Sequence, residues 1–387
     1  MTDSVWLTTP SGKLRARGLG LSFEGTPGPF NAITDVPGLS VGVATLIDSV
    51  ERHDGTESAI RTGVTVILPR GFDDFGNWYA AGIHSQNGNG ELTGSHLIQE
   101  IGCSNTPISI TNTHAVGSVH RAALDWIVQR SPRMASQWLL PVVGETWDGY
   151  LNDINGDHVR KEHVFRALDE ADRAPLEEGS VGGGTGMNCY GFKGGNGTAS
   201  RQVSFGGTTY TVGVLLQTNF GSRHELSYRG LPVGAALSTP CPMEQSDWLG
   251  GTAVPAGSGS CIAVVATDAP LLSDQLRALA RRVTMGLART GTTGSHFSGD
   301  VFLALSTAND GALGSSFPVT SPEATNLSTV AFVPWGYINP FYDAVVQATE
   351  EAVWNSLTAN DTMTGRDGHT SFALPHVELR QLLGAAH

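Results

Sequence analysis

Charge is scarce in this 387-residue chain: Asp, Glu, Lys and Arg together make up 15 % of it, against roughly 25 % in soluble domains. A disordered chain needs more charge and fewer apolar residues than the 40 % found here. Basic charge is scarcer still. The net charge of −13 leaves no clustered Lys and Arg for phosphates, so nucleic acid is excluded as a partner. Long apolar runs are also missing, and no window approaches the ~18 residues of a membrane span. The N-terminus has no apolar stretch after its basic residues, so no secretory signal is read there. The four cysteines, Cys103, Cys189, Cys241 and Cys261, lack CxxC spacing and imply neither a disulfide framework nor a zinc site. A reduced, cytoplasmic protein is the expectation.

Glycine, at 49 residues, is abundant. With the apolar content it suggests a compact, layered protein rich in tight turns. Short β-branched runs recur between Gly, Pro and Asn: residues 64–68, 108–110, 212–216, 262–266 and 301–305. Several are apolar at successive positions, as in strands covered on both faces. One helix is expected from Ser273, as N-cap, to about Thr290, with Leu276, Leu279, Ala280, Val283 and Leu287 on one face and Gly291 as its stop. A second starts near Pro340, carrying Phe341, Ala344, Val345, Ala348 and Ala352 inward and Glu350 and Glu351 outward. Without repeats or a linker, residues 1–387 read as a single α/β domain with sheets between helical layers.

Residues 255–260, Pro-Ala-Gly-Ser-Gly-Ser, run straight into the apolar strand that starts at Cys261. Glycine at 257 and 259 permits close approach of other groups. Strain at the Gly259–Ser260 peptide would bring the Ser260 hydroxyl onto the preceding carbonyl, and an N→O acyl shift with hydrolysis would cut the chain. The product would carry an α-amine, titrating near pH 7.7–8.0, beside its own hydroxyl, and would need no histidine. Alone, Gly-Ser-Gly-Ser is also an ordinary flexible loop.

Ordered motifs over residues 29 to 370 change the weight of that segment. They include Asn31-Ala-Ile-Thr-Asp35, Gly88 to Gly94, Thr111-Asn-Thr-His-Ala-Val-Gly117 and Val181-Gly-Gly-Gly-Thr-Gly-Met187. Gly257 to Leu272, Ser298-Gly-Asp300, Phe302 to Asn309 and Thr362 to Gly368 complete the series. Together they resemble the L-aminopeptidase D-Ala-esterase/amidase family, which includes the bacterial β-aminopeptidases. The resemblance implies a four-layer αββα sandwich of the N-terminal-nucleophile-hydrolase type, and cleavage after Gly259 into fragments 1–259 and 260–387. It further implies a homo-oligomer of processed units, small peptide, amide or ester substrates, and no metal or organic cofactor.

The same resemblance implies residue roles. Ser260 takes the nucleophile position. Cys261 is a rival as the better thiol nucleophile, but it stands where the family has an aliphatic strand residue. Ser298 and Asp300, pointing the same way from an extended segment, would orient the Ser260 amine and relay protons; the carboxylate is often Glu in the family. Asn219 matches the family's oxyanion donor. The other donor is a Tyr in Glu-Thr-Tyr-Asp-Gly, and here Trp147 replaces it. An indole donates but cannot accept or ionise, which leaves three readings open: Trp147 substitutes, Tyr150 reaches in, or the pocket suits another substrate. Glu145 is the candidate anchor for a substrate ammonium.

Other features are discounted. Val181 to Gly186 lacks the Lys-Ser/Thr ending of a phosphate loop and reads as close backbone packing. His114 and His120 belong to no compact ligand triad, and Asp268 reads as a cap for the following turn or helix. The leading function is a self-processing aminopeptidase/amidase. Acyl transfer or amide-oligomer hydrolysis on the same scaffold is the first alternative, and a non-catalytic binding protein the second.

Overall fold

The computed structural model describes residues 4–51, 55–245, 247–249, 255, 257–318 and 320–385. The strands are β1 (Ser40–Glu51), β2 (Glu57–Leu68), β3 (Tyr79–Ser85), β4 (Cys103–Ser104), β5 (Ile108–Asn112), β6 (Val142–Thr146), the short hairpin β7 (Asn188–Cys189) and β8 (Phe192–Lys193), then β9 (Asn196–Phe205), β10 (Thr208–Asn219), β11 (Gly259–Thr267) and β12 (Ser298–Ser306). The helices are α1 (Ser95–Ile101), α2 (Val116–Arg130), α3 (Lys161–Asp169), the single turns α4 (Val233–Ala236) and α5 (Pro242–Gln245), then α6 (Ser273–Arg289), α7 (Asn339–Thr358) and α8 (His376–Ala385).

A four-stranded sheet runs β1-β2-β5-β6, and a six-stranded sheet runs β4-β3-β12-β11-β10-β9. Apolar side chains at alternate strand positions explain why the sheets stack. Val41, Ile67, Ile108 and Ile110 face Ile83, Leu215, Ile262, Val264, Val301 and Leu303 between them. On the outer side of the first sheet, Val64, Val66 and Val143 pack against Val119, Trp126 and Ile127 of α2 and Val164 and Leu168 of α3. On the outer side of the second, Val212, Val214, Cys261, Ala263, Val265 and Phe302 meet Leu276, Leu279 and Val283 of α6 and Phe341, Val345 and Ala348 of α7. This is the four-layer αββα order, and the strand runs read from the sequence each lie inside one of these strands.

Three local expectations give way. Ser273 is the first residue of α6 rather than its N-cap; Leu272 takes that place, and its N–H is satisfied by Gln275 Oε1 at 2.9 Å. Asp268 caps no helix: its carboxylate accepts the Thr211 N–H at 2.7 Å and ties the ends of β10 and β11 together. Glu351, expected to face outward, is wholly buried. The N-terminal stretch passes over this side of α7, and Arg17 donates twice to Glu351, from Nε at 2.6 Å and Nη2 at 2.8 Å. Arg201 adds a bond at 2.7 Å, and Asn31 another at 2.6 Å.

Burial pushes the Glu351 carboxyl up, but Arg201 and Arg17 outweigh it and leave the group below the ordinary glutamate range. Its stabilising effect is therefore present above pH 4.5, the ordinary value, and is lost as pH falls through the lower folded value. Glu351→Ala strands buried guanidinium charge, so urea denaturation at pH 7 is expected to show a loss of about 3–5 kcal/mol. That deficit shrinks in acid.

Candidate active site

The site forms where β11 begins. Gly257 adopts φ +78°, the left-handed region that glycine enters freely, and turns the chain into the strand; Ala256 lies outside the described residues. The Gly259 N–H donates to the Phe297 carbonyl at 3.1 Å. A Cβ on Gly259 would sit 1.7 Å from the Asn219 carbonyl oxygen, so a side chain is excluded there. β11 is antiparallel to β10 and parallel to β12, with Ser260 opposite Asn219 on one side and Gly299 on the other.

Paired residues project from the same face of a sheet. Ser260 and Asn219 therefore share the inter-sheet face with Ile262, while Cys261 turns to the helical layer. There, burial drives the Cys261 thiol far above its ordinary value, with the Asp300 charge adding to the effect. The Ser260 hydroxyl is buried and has no hydrogen-bond partner among the described residues. Such orphaned groups are uncommon and cost roughly 1–3 kcal/mol.

A cavity of about 340 Å³ opens over Ser260. Asn219 lines it, and the Asn219 amide is clamped: its Oδ1 accepts the Asn188 N–H of β7 at 3.0 Å, and its Nδ2 donates to the Trp147 carbonyl at 3.0 Å. One of the two amide protons is spent there; no bond among the described residues uses the second. Trp147 thus enters the site through its carbonyl, while its indole lines the cavity beside Trp248, with ring centroids 5.8 Å apart. Tyr150 is not among the lining residues. Its hydroxyl faces the Thr370 carbonyl at 3.4 Å, and its ring stacks on His369.

Glu145 does line the cavity, only 3 % exposed. Its carboxylate accepts the Glu91 N–H at 2.8 Å and the Thr113 hydroxyl. Burial raises its pKa, those two bonds pull it back, and the Glu91 charge pushes it up again.

Ser298 and Asp300 pair with Gly259 and Cys261, so they lie on the face opposite to the Ser260 hydroxyl. Ser298 Oγ donates to Asp300 Oδ1 at 2.7 Å, and Asn87 Nδ2 to Oδ2 at 2.8 Å. Burial raises the Asp300 pKa, while Ser298, Asn87 and the Cys261 main chain draw it down. The pair thus stands beside the main chain of residues 259–261, where a cut would expose an amine.

Several contributors carry no site signal of their own in the sequence, although Asn89 and Thr113 fall inside the Gly88 to Gly94 and Thr111 to Gly117 motifs. Asn87, Asn89, Thr113, Phe297 and Trp248 join the site from separate segments. Behind Asn219, burial brings Asp148 up to about 7 and Lys193 down to about 7, the latter donating to the Met187 and Gly194 carbonyls at 2.8 and 2.7 Å. Gly183 and Gly184 approach so closely that a Cβ would meet Gln217 Oε1 at 2.2 Å and the Asn196 nitrogen at 2.4 Å. Among the described residues, no helix is long and apolar enough to cross a membrane.

The family model Peptidase family S58 matches residues 31–371. The chain is 45 % identical over 373 residues to "Beta-peptidyl aminopeptidase BapA" of Sphingosinicella microcystinivorans, covering 95 % of this chain and 91 % of that one. It is 43 % identical over 376 residues to the protein of the same name from Sphingosinicella xenopeptidilytica, covering 96 % and 91 %. Among solved structures, the L-aminopeptidase D-Ala-esterase/amidase of Ochrobactrum anthropi superposes with a TM-score of 0.86 at 42 % identity, covering 96 % of this chain and 98 % of that one. It is described as a prototype for the serine aminopeptidases and a new variant of the Ntn hydrolase fold. A Burkholderia sp. beta-aminopeptidase superposes with a TM-score of 0.83 at 42 % identity, covering 96 % and 99 %. Sequence and fold agree: this chain belongs to peptidase family S58 and has the Ntn hydrolase fold in that variant form.

Proposed function

We propose that this chain is a serine aminopeptidase/amidase that cuts itself between Gly259 and Ser260 and then uses Ser260 to release N-terminal residues from peptides, amides or esters. The observation that carries the reading is the buried, unpartnered Ser260 hydroxyl at the start of β11, beside the clamped amide of Asn219. In processing, Ser260 Oγ attacks the Gly259 carbonyl carbon. The peptide C–N bond breaks, the hydroxyl proton ends on the departing nitrogen, and water hydrolyses the resulting ester. The new α-amine then removes the Ser260 hydroxyl proton as Oγ attacks substrate. Asn219 donates to the developing oxyanion, the amine returns the proton to the leaving group, and water releases the acyl product. Ser298 and Asp300 hold the amine, and Glu145 holds the substrate ammonium.

The names of the relatives support a β-amino or D-alanyl residue at the substrate N-terminus. Four buried free thiols support a reducing, cytoplasmic setting. Exposed Leu327, Phe332, Trp335 and Tyr337 support a homo-oligomer that covers them.

A denaturing gel of the purified protein is expected to show the fragments 1–259 and 260–387. Ser260→Ala is expected to run as one intact chain, and Cys261→Ala to split normally. A single uncut band in active protein overturns the reading. Asn219→Ala, in whatever fraction is processed, is expected to lower kcat by about 10²–10³-fold.

Because burial raises Asp300, its carboxylate takes up a proton at a pH above the ordinary aspartate value as acid is added. An Asp300 step in the kcat/KM profile is thus expected above pH 3.8, the ordinary value, on the acid side of the limb set by the α-amine, and that step is expected to be missing from the residual activity of Asp300→Asn.

A further inference from the structure

The lining of the cavity over Ser260 is of two chemical kinds. Glu145 is the only charged residue among the described residues that line it. Trp147, Trp248, Leu249, Met243 and Phe297 make up its apolar wall. Once an ammonium is held at Glu145 and a carbonyl at Ser260 and Asn219, the side chain of the same N-terminal residue is directed to that apolar wall.

Trp248 is the centre of this wall. Its ring lies 5.8 Å from Trp147, 5.1 Å from Tyr150 and 5.7 Å from His369, while Tyr150 and His369 stack at 4.8 Å with planes 5° apart. The Trp248 indole N–H donates to the Met243 carbonyl at 3.1 Å. Its polar edge is thereby satisfied, and the ring is left for apolar contact. None of these contacts involves the Gly259–Ser260 peptide, so a cut there breaks none of them directly.

We infer that this aromatic wall is a side-chain subsite, with Trp248 as its specificity-determining residue. It selects substrates whose N-terminal residue carries a bulky apolar side chain, aromatic or branched aliphatic, over those with a methyl group. The inference rests on the aminopeptidase reading above and adds the substrate class to it. A charged side chain finds no partner on this wall and loses its hydration there.

The test uses the full-length protein after processing and two β-aminoacyl anilides that differ only in a benzyl or a methyl substituent on the β-carbon. Wild type is expected to favour the benzyl substrate in kcat/KM by about tenfold or more. Trp248→Ala is expected to erase that preference through a higher KM for the benzyl substrate, leaving the methyl substrate within about threefold, and Trp248→Phe to restore most of it. Gel analysis of each variant confirms that it has split before kinetics are read. Equal use of the two substrates by wild type overturns the inference whatever the variants do. Equal losses on both substrates in Trp248→Ala overturn it as well. If wild type hydrolyses neither substrate, the aminopeptidase reading falls and takes the subsite with it; turnover without preference removes the subsite alone.

Discussion

The position of β11 between an antiparallel neighbour and a parallel one is the constraint on which the site depends. Alternation along the strand sends Ile262 and Val264 into the space between the sheets and Cys261, Ala263 and Val265 beneath α6 and α7. A slip of one residue would exchange these two sets and bury each in a space shaped for the other. It would also exchange Ser260 for Cys261 over the cavity. The packing that makes the sandwich therefore also determines which side chain stands over the cavity, and it does so without any bond to the Ser260 hydroxyl among the described residues.

Around that point the molecule tolerates several unfavourable arrangements together. A hydroxyl is buried without a partner, and two carboxyl groups, Glu145 and Asp300, are raised by burial. Groups held in this way are poised for proton and charge transfer, as active sites require. The opposite is true across the sheet, on α7. There every Glu351 oxygen is matched by Arg17, Arg201 or Asn31, and the carboxyl is held below its ordinary range. Arg15 likewise bonds Glu178 at 2.6 Å, although there burial outweighs the pairing and leaves the carboxyl above its ordinary range. The N-terminal stretch, whose basic residues raised the question of a targeting signal, is thus part of the sandwich.

What was legible in the sequence follows the range of the forces involved. Strands and the faces of α6 and α7 could be read because apolar periodicity is local. Glu351 could not: its side of α7 is covered by Arg17 and Asn31, more than three hundred positions earlier, and by Arg201, 150 positions earlier, and no pattern within the helix reports that cover. The spacing of Ser298 and Asp300 correctly implied a shared face. Whether that face is the one Ser260 uses depends on the pairing of β11 with β12, which neither segment contains. Trp248 is the strongest case. It meets Trp147, Tyr150 and His369, which come from separate segments, and only the closed fold makes a wall of them.

The order of the six-stranded sheet has one more consequence. β11 and β12 lie between β3 and β10, and α7 packs on β9 and β10. In pieces divided at Gly259–Ser260, β11 and β12 of one would fill the gap between β3 and β10 of the other, so neither would complete the six-stranded sheet alone. An intact chain can unfold and refold as a unimolecular event. A divided one must find its complement again, and its recovery from denaturant becomes dependent on concentration. The processed protein would then persist through the height of its unfolding barrier, with durability governed by a rate.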